Sequence, residues 1–429
     1  MPDHLLFPGP IRISQDGRYF TDSRDAPFFW LGDTAWPLFA EYVPENAHRY
    51  LLSRAKLGYT VIQGVLAWGG GTGFETRSPG QNALGQVPWL DGNPATPNAA
   101  YFQNVDALVE FAAQNSLVLG MLPTWGYYVN DVQTLTTENA HNYGRWLGER
   151  YKNSSNIIWI LGGDRIPTGI EAVTRELASG LRAGDGGSHL ITYHPCGGRS
   201  SSQFFHTDAW LDFNMIETWS AWSKVYPVIQ TDAMLAPLKP VVLGEGAYED
   251  GPEYPSGPIT PLIVRRQAWW AFMAGGFFTN GHNQNWRMEA NWDDILTAPG
   301  AIQMKVYREV LSSHPWWQMV PEQGLFETGV GSDRTLNAAK RTLDSTCALI
   351  YLSSQCHVLV NLDKILTQRV RAAWINPQNG EQHEAGDYAT GNRTGSIFPA
   401  GQKTWFAVPD FWEDAILVLT GYDPTKEQG

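Results

Sequence analysis

Acidic, imidazole and indole side chains follow short apolar runs at eight places in the sequence. Asp164 follows a run that ends in Gly162 and Gly163, and Glu245 follows a run that ends in Gly244. An acid removed from water without a partner is costly, so a row of such groups indicates a functional site. Cleavage of a glycosidic bond requires two carboxyl groups, one protonated and one ionised. We therefore predict that Asp164 and Glu245 form a catalytic pair that acts on a sugar.

Other roles for these acids remain open at this point. Asp164 could form a salt bridge with Arg165, and Glu245 could make a structural hydrogen bond to the last predicted strand. Glu217 also follows an apolar run and is a rival carboxylate. If Glu217 and Asp164 are the true pair, Glu245 becomes a sugar ligand.

The remaining polar and aromatic residues at the run ends suit sugar recognition. Sugar C–H faces stack on aromatic rings, and hydroxyl groups pair with carboxylates and with neutral imidazoles, which both donate and accept. Each tryptophan could equally be a wall residue of the core. The residues predicted to bind substrate are Asp33, Trp36, Trp68, Trp125, Tyr193, His194, Glu217, Trp219, Tyr248, His282 and Trp286.

The apolar runs alternate with amphipathic stretches, which is the pattern of consecutive β/α units. Eight units in order predict a closed (β/α)8 TIM barrel with its site at the carboxyl ends of the strands, and a doubly wound open sheet is the alternative. The fifth and sixth units are the weakest, because 200–208 shows no helical spacing. The predicted strands are 28–31, 60–65, 117–122, 157–161, 190–193, 213–216, 241–244 and 276–279.

The pattern of apolar and turn-forming residues changes after residue 320. Short strand-like runs alternate with turn clusters such as NPQNG at 376–380, which predicts a small antiparallel β-sandwich. We therefore divide this α/β chain into a catalytic barrel with an N-terminal β-hairpin, residues 1–320, and a β-sandwich domain, residues 321–429.

Composition narrows the class of partner. The chain of 429 residues has a net charge of -13, which disfavours nucleic acid and anionic membranes as partners. Only 17% of residues are charged, whereas Trp (19), Tyr (17) and Phe (18) are abundant. This composition favours a neutral oligosaccharide as the substrate. The oligomeric state cannot be inferred from it.

The sequence lacks the common motifs for metal binding and for secretion. The sequence has no H-E-x-x-H motif and no cysteine pair with zinc spacing, so we expect no catalytic metal and no cofactor. The three cysteines, Cys196, Cys347 and Cys356, are expected to be free thiols. The first ten residues lack the basic start and apolar core of a secretory signal. We expect a cytoplasmic protein, or a secreted one if a leader has been trimmed.

Several segments resemble a known family. FFWLGDTAW at 28–36, ILGGDR at 160–165 and VLGEGAYE at 242–249 resemble the apiosidase-like glycoside hydrolases, the glycoside hydrolase family 140-like barrels once catalogued as a domain of unknown function. AWINPQNGE at 373–381 and FWEDAILVL at 411–419 resemble the β-domain, named for collagen binding, that follows this barrel. The resemblance covers nearly the whole chain, and its first motif is the specific one.

By that resemblance, Asp164 corresponds to the acid/base and Glu245 to the nucleophile of a retaining mechanism. Retaining enzymes hold these carboxyl groups about 5 to 5.5 Å apart, and inverting enzymes about 6.5 to 9.5 Å apart. The layout also resembles a wider clan of retaining barrels, except that the clan's Asn-Glu is Gly163-Asp164 here. The implied activity is removal of apiose, arabinofuranose or another pentose or deoxy-sugar from plant-derived oligosaccharides.

Two other classes of function are compatible with the same residues. A barrel that kept its sugar site and lost its chemistry would be a carbohydrate-binding protein, although retention of both carboxylates disfavours this. A metal-dependent isomerase or hydrolase could use Asp33, Glu217 and His282. Activity that a chelator removes would indicate that third class.

Overall fold

The computed structural model describes residues 9–69, 77–251, 254–287, 291–391 and 402–424. It has a barrel built from strands and helices and, after it, two antiparallel sheets. Within the described residues, no helix combines the length and apolarity that crossing a bilayer would need.

Before the barrel, three two-residue strands form an antiparallel sheet: β1 (Arg12–Ile13), β2 (Phe20–Thr21) and β3 (Pro27–Phe28). The first barrel strand was predicted at 28–31 but begins at Leu31. Phe28 instead pairs with Phe20 of the hairpin, which uses its backbone groups in a different sheet.

Eight parallel strands form the barrel and confirm the predicted fold class. Their spatial order is 5-4-3-2-1-8-7-6 by position in the chain, with the short antiparallel β9 (Arg199–Ser200) attached to the last of them. Strands buried on both faces need continuous apolar runs, and the second and third barrel strands are buried at every residue. The barrel strands are β4 (Leu31–Thr34), β5 (Val61–Ala67), β6 (Val118–Thr124), β7 (Ile157–Gly162), β8 (Ile191–His194), β10 (Asn214–Glu217), β11 (Val241–Glu245) and β12 (Phe277–Asn280).

Helices surround the barrel and begin where the sequence supplies caps. Thr136 and Asn139 form a capping box at the start of α4, and prolines open α1, α8 and α10. The weak unit between β8 and β10 contains only the four-residue α6. The helices are α1 (Pro44–Lys56), α2 (Ala99–Gln114), α3 (Tyr127–Asn130), α4 (Thr137–Tyr151), α5 (Glu171–Asp185), α6 (Ser202–Phe205), α7 (Val225–Ala233), α8 (Pro261–Met273), α9 (Asn283–Arg287) and α10 (Pro299–Ser312).

Helices α4 and α5, which flank β7 in the sequence, touch through their glycines. A Cβ placed on Gly148 would lie 2.5 Å from the carbonyl oxygen of Leu181, and one on Gly180 would lie 2.1 Å from that of His141. Side chains at these two positions are therefore excluded, and the two backbones pack directly against each other.

The second domain is a β-sandwich. A six-stranded antiparallel sheet has the order β13-β15-β16-β21-β18-β19, and a three-stranded sheet has the order β14-β17-β20. Apolar residues of both sheets, including Ile350, Val358 and Leu417, share one core. The strands are β13 (Met319–Pro321), β14 (Phe326–Thr328), β15 (Ala338–Thr342), β16 (Cys347–Leu352), β17 (His357–Asn361), β18 (Arg369–Ile375), β19 (Gln382–Ala389), β20 (Lys403–Ala407) and β21 (Ala415–Tyr422).

A buried ion pair joins the two domains. Arg265 of α8 donates to Asp414, which precedes β21, at 2.8 Å, and both side chains are buried. Gln303 accepts a second hydrogen bond from Arg265, and Tyr351 donates to Asp414 at 2.9 Å. A buried charge that keeps its partners is tolerated, whereas one that loses them is costly.

Replacing Arg265 with methionine should therefore destabilise the protein strongly, because it leaves Asp414 buried without a cation. The expected loss is about 3–5 kcal/mol in the free energy of unfolding, measured by chemical denaturation. Arg49, which pairs with Asp293 on the surface, provides the matched control. Its replacement with methionine should cost less than about 1 kcal/mol. Equal effects of the two substitutions would contradict the assigned role of Arg265.

Candidate active site

The carboxyl ends of the barrel strands converge on one imidazole. His194, the last residue of β8, has its Nε2 atom 3.1 Å from Glu245 Oε2 and its Nδ1 atom 3.9 Å from Glu217 Oε2. The backbone N–H of Asp164 faces the same Nδ1 atom at 3.5 Å. Strands β7, β8, β10 and β11 therefore bring four of the predicted residues into one cluster.

Asp164 lies just beyond β7 on a backbone with positive φ. The values are 84° at Gly162, 117° at Gly163 and 54° at Asp164. A Cβ on Gly163 would lie 2.6 Å from the ring of Trp125, so this turn requires glycine there. Positive φ is uncommon for a residue with a side chain and is enriched at functional sites.

The environment of Asp164 favours its protonated form. Its side chain is half-exposed on one side, but the surrounding protein removes much of its hydration. Burial, followed by the negative charge of Glu245, raises the pKa of Asp164 to about 6. Arg165 lies 3.5 Å from its carboxylate but has a closer partner in Asp131, at 2.8 Å. The salt bridge between Asp164 and Arg165 is therefore a secondary contact.

Glu245 ends β11 and has two polar side chains beside it. His194 Nε2 lies 3.1 Å away without the geometry of a hydrogen bond, and the hydroxyl of Tyr248 is the second neighbour. Trp36 Nε1 donates to that hydroxyl oxygen at 3.0 Å. The carboxyl group stays about one-eighth exposed, with 12% of the side chain accessible. These contacts come from β8 and the loop after β11, rather than from the last barrel strand.

Glu217, at the end of β10, is more deeply buried than Glu245. Among the described residues, its Oε2 atom has no hydrogen-bond partner. Burial, followed by the charges of Glu245 and Asp164, raises the pKa of Glu217 well above its usual range. Glu217 is thus a neutral acid beside Glu245.

Three of the predicted tryptophans form a wall, and one is open to solvent. Trp36 and Trp125 pack against each other at 5.1 Å, and Trp36 meets the His194 ring edge-on at 5.2 Å. Trp68 packs on Trp125, and all three are buried. Trp219 is 41% exposed and stands next to Tyr254, at 5.6 Å. Trp219 is the ring available for stacking on a ligand.

Asp33 lies below this cluster in a buried network. It forms an ion pair with Arg54 and accepts hydrogen bonds from Tyr50, at 2.5 Å, and from Asn280, at 3.0 Å. Its side chain has about 1% of its surface exposed. This placement does not support the predicted contact between Asp33 and a sugar hydroxyl, because its partners come from the protein itself.

Tyr193 and His282 also lie apart from the four-residue cluster. Tyr193 points outward between the strands and helices, where its hydroxyl donates to the carbonyl of Arg165 at 3.0 Å. Adjacent residues of a strand face opposite sides, so His194 points in and Tyr193 points out. His282 accepts from the backbone N–H of Gln284, and burial lowers its pKa. Trp286 is half-buried and donates to Asn283 at 3.2 Å.

Sequence reasoning missed Tyr254, which supports both Trp219 and the loop after β11. Its hydroxyl accepts from the backbone N–H of Tyr248 at 3.0 Å. It lies in a loop rich in glycine and proline, ten residues from any predicted strand end, so no pattern indicated it.

One group of side chains could hold a cation. Ligand atoms of His194, Glu217 and Glu245 lie within 4.8 Å of one another. An imidazole with two carboxylates suits several divalent metals. The metal set considered from the sequence, Asp33, Glu217 and His282, is not brought together, because Asp33 is paired with Arg54.

Carboxyl groups and tryptophans at the carboxyl ends of a (β/α)8 barrel define a glycoside hydrolase site. Two solved structures agree. A chain titled "Glycoside hydrolase" is 27% identical, covers 96% of this chain and 97% of its own length, and has a TM-score of 0.86. A glycoside hydrolase family 5 protein from Bacteroides vulgatus ATCC 8482 is 26% identical, with coverage of 96% and 94% and a TM-score of 0.86.

The protein belongs to the apiosidase-like family, because the profile described as "Apiosidase-like, catalytic domain" matches residues 14–318. A second profile, "Putative collagen-binding domain of a collagenase", matches residues 320–420. No curated protein matches the chain. The family resemblance inferred from the motifs is confirmed, and the chain is a glycoside hydrolase.

Replacing Glu245 with glutamine should lower the pKa of Asp164. The charge of Glu245 opposes ionisation of Asp164, so its removal eases that ionisation, whereas burial persists. The expected pKa lies below about 6 and above the ordinary 3.8. Titration of ¹³C-labelled aspartate carboxyl groups by NMR, with Asp164→Asn to assign the signal, measures it. Glu149→Gln, on the exposed face of α4, should leave the value unchanged; an equal shift there would contradict the coupling.

Proposed function

We propose that the protein is a retaining exo-glycosidase that releases a pentose or deoxy-sugar, apiose-like or arabinofuranose-like, from plant-derived oligosaccharides. Asp164 is the acid/base and Glu245 is the nucleophile. The observation that carries this proposal is that Asp164 and Glu245 both lie at the strand ends beside His194, where burial and then the charge of Glu245 raise the pKa of Asp164.

Asp164 suits the acid role because it holds a proton near neutral pH. A general acid works best when its pKa lies close to the working pH. Part of the rise in the Asp164 pKa comes from the charge of Glu245. When Glu245 becomes an ester of the sugar, that charge is lost and the pKa of Asp164 falls. The same residue can then accept a proton in the second step.

Glu245 suits the nucleophile role better than Glu217 does. A nucleophilic carboxylate must be ionised and must reach the sugar. Glu217 is buried and its raised pKa keeps it protonated, whereas Glu245 is partly exposed and contacts Tyr248 and His194. Glu217 therefore acts beside Glu245 as a neutral hydrogen-bond donor, and we do not favour the rival pair.

The reaction proceeds in two displacements. In the first, Asp164 gives its proton to the glycosidic oxygen, Glu245 bonds to the anomeric carbon, and the shortened oligosaccharide leaves as an alcohol. In the second, Asp164 takes a proton from water, the water oxygen bonds to the anomeric carbon, and the ester to Glu245 breaks. The products are the free sugar with retained configuration and the regenerated enzyme.

The sugar class rests on family membership and on the stacking ring at the rim. The matched family is apiosidase-like, and the match spans residues 14–318, nearly all of the barrel of this chain. Trp219 offers an exposed indole two residues after Glu217, where a bound sugar or its leaving group can stack.

Substitution of the two carboxyl groups should separate their roles. On unactivated oligosaccharides, Asp164→Asn and Glu245→Gln should each lower kcat/KM by about 10³-fold or more. On 4-nitrophenyl pentosides, whose leaving group needs little protonation, Asp164→Asn should lose far less activity than Glu245→Gln. With azide present, Asp164→Ala should form a glycosyl azide of retained configuration, detected by NMR. Circular dichroism checks that each variant is folded.

The controls address the alternatives directly. Glu149→Gln should match the wild type, and activity should survive a chelator.

Because Asp164 must be protonated in the first step, kcat/KM should decline as the pH rises through about 6. If Glu217→Gln abolished activity and Glu245→Gln retained it, the nucleophile assignment would be wrong. Oligosaccharide binding by calorimetry with no sugar released would support a non-catalytic binder instead.

A further inference from the structure

A second cavity lies at the opposite end of the barrel, between the two domains. It has a volume of about 360 Å³, within the usual range of small-molecule sites. It is bounded by the N-terminal hairpin, the amino-terminal end of β12 and the first strands of the sandwich. Its apolar lining includes Tyr19, Phe272, Phe277, Trp316, Trp317 and Met319.

Lys340 of β15 extends into this apolar cavity. Its neighbour Ala339 faces the core of the sandwich, so Lys340 faces the barrel, and its Nζ atom lies 4.1 Å from the centre of the Phe272 ring. The residue is 5% exposed. Throughout the described ranges, no carboxylate forms an ion pair with it and no acceptor takes its hydrogen bonds.

Contact with the Phe272 ring offsets only part of the cost of burying an ammonium group that has, among the described residues, no carboxylate and no hydrogen-bond acceptor beside it. Burial, and to a smaller extent the charge of Arg18, lowers the pKa of Lys340 to about 7. A methionine would fill the same space without that cost. Packing alone therefore does not explain why a lysine occupies this position. A ligand with a negative charge would explain it, because it would pair with the ammonium group.

The other charges around the cavity do not neutralise Lys340. Arg18 lines the cavity and is already paired with Asp16, at 2.5 Å. Lys239 also lines it, and its Nζ atom donates to the backbone carbonyls of His206 and Leu211. The cavity is thus surrounded by cations and apolar side chains.

The mouth of the cavity is apolar as well. Met234 is 70% exposed and Leu238 is 48% exposed, and both line it. Large apolar side chains exposed together mark binding sites more often than isolated ones do. An occupant with both an apolar body and a negative head would cover this surface and pair with Lys340.

We propose that this cavity is a binding site for an amphipathic carboxylate, an alkyl or aryl chain that carries one carboxylate group. The carboxylate pairs with the ammonium of Lys340, and the chain lies against Trp316 and Phe277 toward Met234. Such a ligand contacts the barrel and β15 together, so it stabilises the association of the two domains.

Titration of the full-length protein with octanoate tests this site. Octanoate should bind saturably, measured by calorimetry and by the change in tryptophan fluorescence, and should raise the thermal unfolding midpoint. Lys340→Met should bind octanoate at least 10-fold more weakly and, without ligand, should unfold at the same or a higher temperature. Lys305→Met, which removes an exposed lysine of α10, should bind octanoate as the wild type does.

The ligand series on the wild-type protein is independent of whether any variant folds. 1-Octanol and octylamine share the chain but lack the negative head, and each should bind at least 10-fold more weakly than octanoate. Absence of saturable octanoate binding, equal binding of octanol, or undiminished binding to a folded Lys340→Met variant would each overturn the proposal.

Discussion

Burial of acids beside one another is the constraint on which the site depends, because loss of hydration and then mutual repulsion both oppose their ionisation. Glu217 and Glu245 lie beside the imidazole of His194, and the charge of Glu245 opposes ionisation of both Glu217 and Asp164. The pKa of each of these two acids is therefore raised, and more so where burial is deeper. Glu217, the deepest, keeps its proton, while Asp164 is poised near neutral pH. Glycosidases that work by two carboxyl groups need such a difference in pKa between the two groups.

The barrel positions these polar side chains in two ways: by the backbone turn after β7 and by the tryptophans packed around His194. The turn at Gly162 and Gly163 carries Asp164 beyond the end of β7, and positive φ at Asp164 aims it back toward β11. Trp36 and Trp125 pack against His194 and limit the freedom of its ring. Trp36 also directs the hydroxyl of Tyr248. Aromatic side chains thus contact and orient the polar groups of the candidate site.

The sequence predicted the barrel strands and the acidic cluster because both depend on local patterns. Continuous apolar runs mark strands buried on both faces, and parallel strands end at one rim. It could not predict the partners of Asp33, since Arg54 and Asn280 are brought to it only by folding. The alternation of side chains along a strand already implies that Tyr193 and His194 face opposite sides. The prediction nevertheless assigned both residues to the substrate site. The sequence also could not decide whether Trp68 is buried in the core or is open to stack on a sugar. Its burial in the folded structure shows that it belongs to the core.

The glycine contact between α4 and α5 makes the fold sensitive to substitutions at positions outside the candidate site. The two helices precede and follow β7, and their backbones meet with no side chain between them. Even one methyl group at Gly180 would push the two helices apart, and these helices connect to the two ends of β7, beyond which Asp164 lies. Small residues are therefore required at this helix contact, whatever substrate the site at the strand ends accepts.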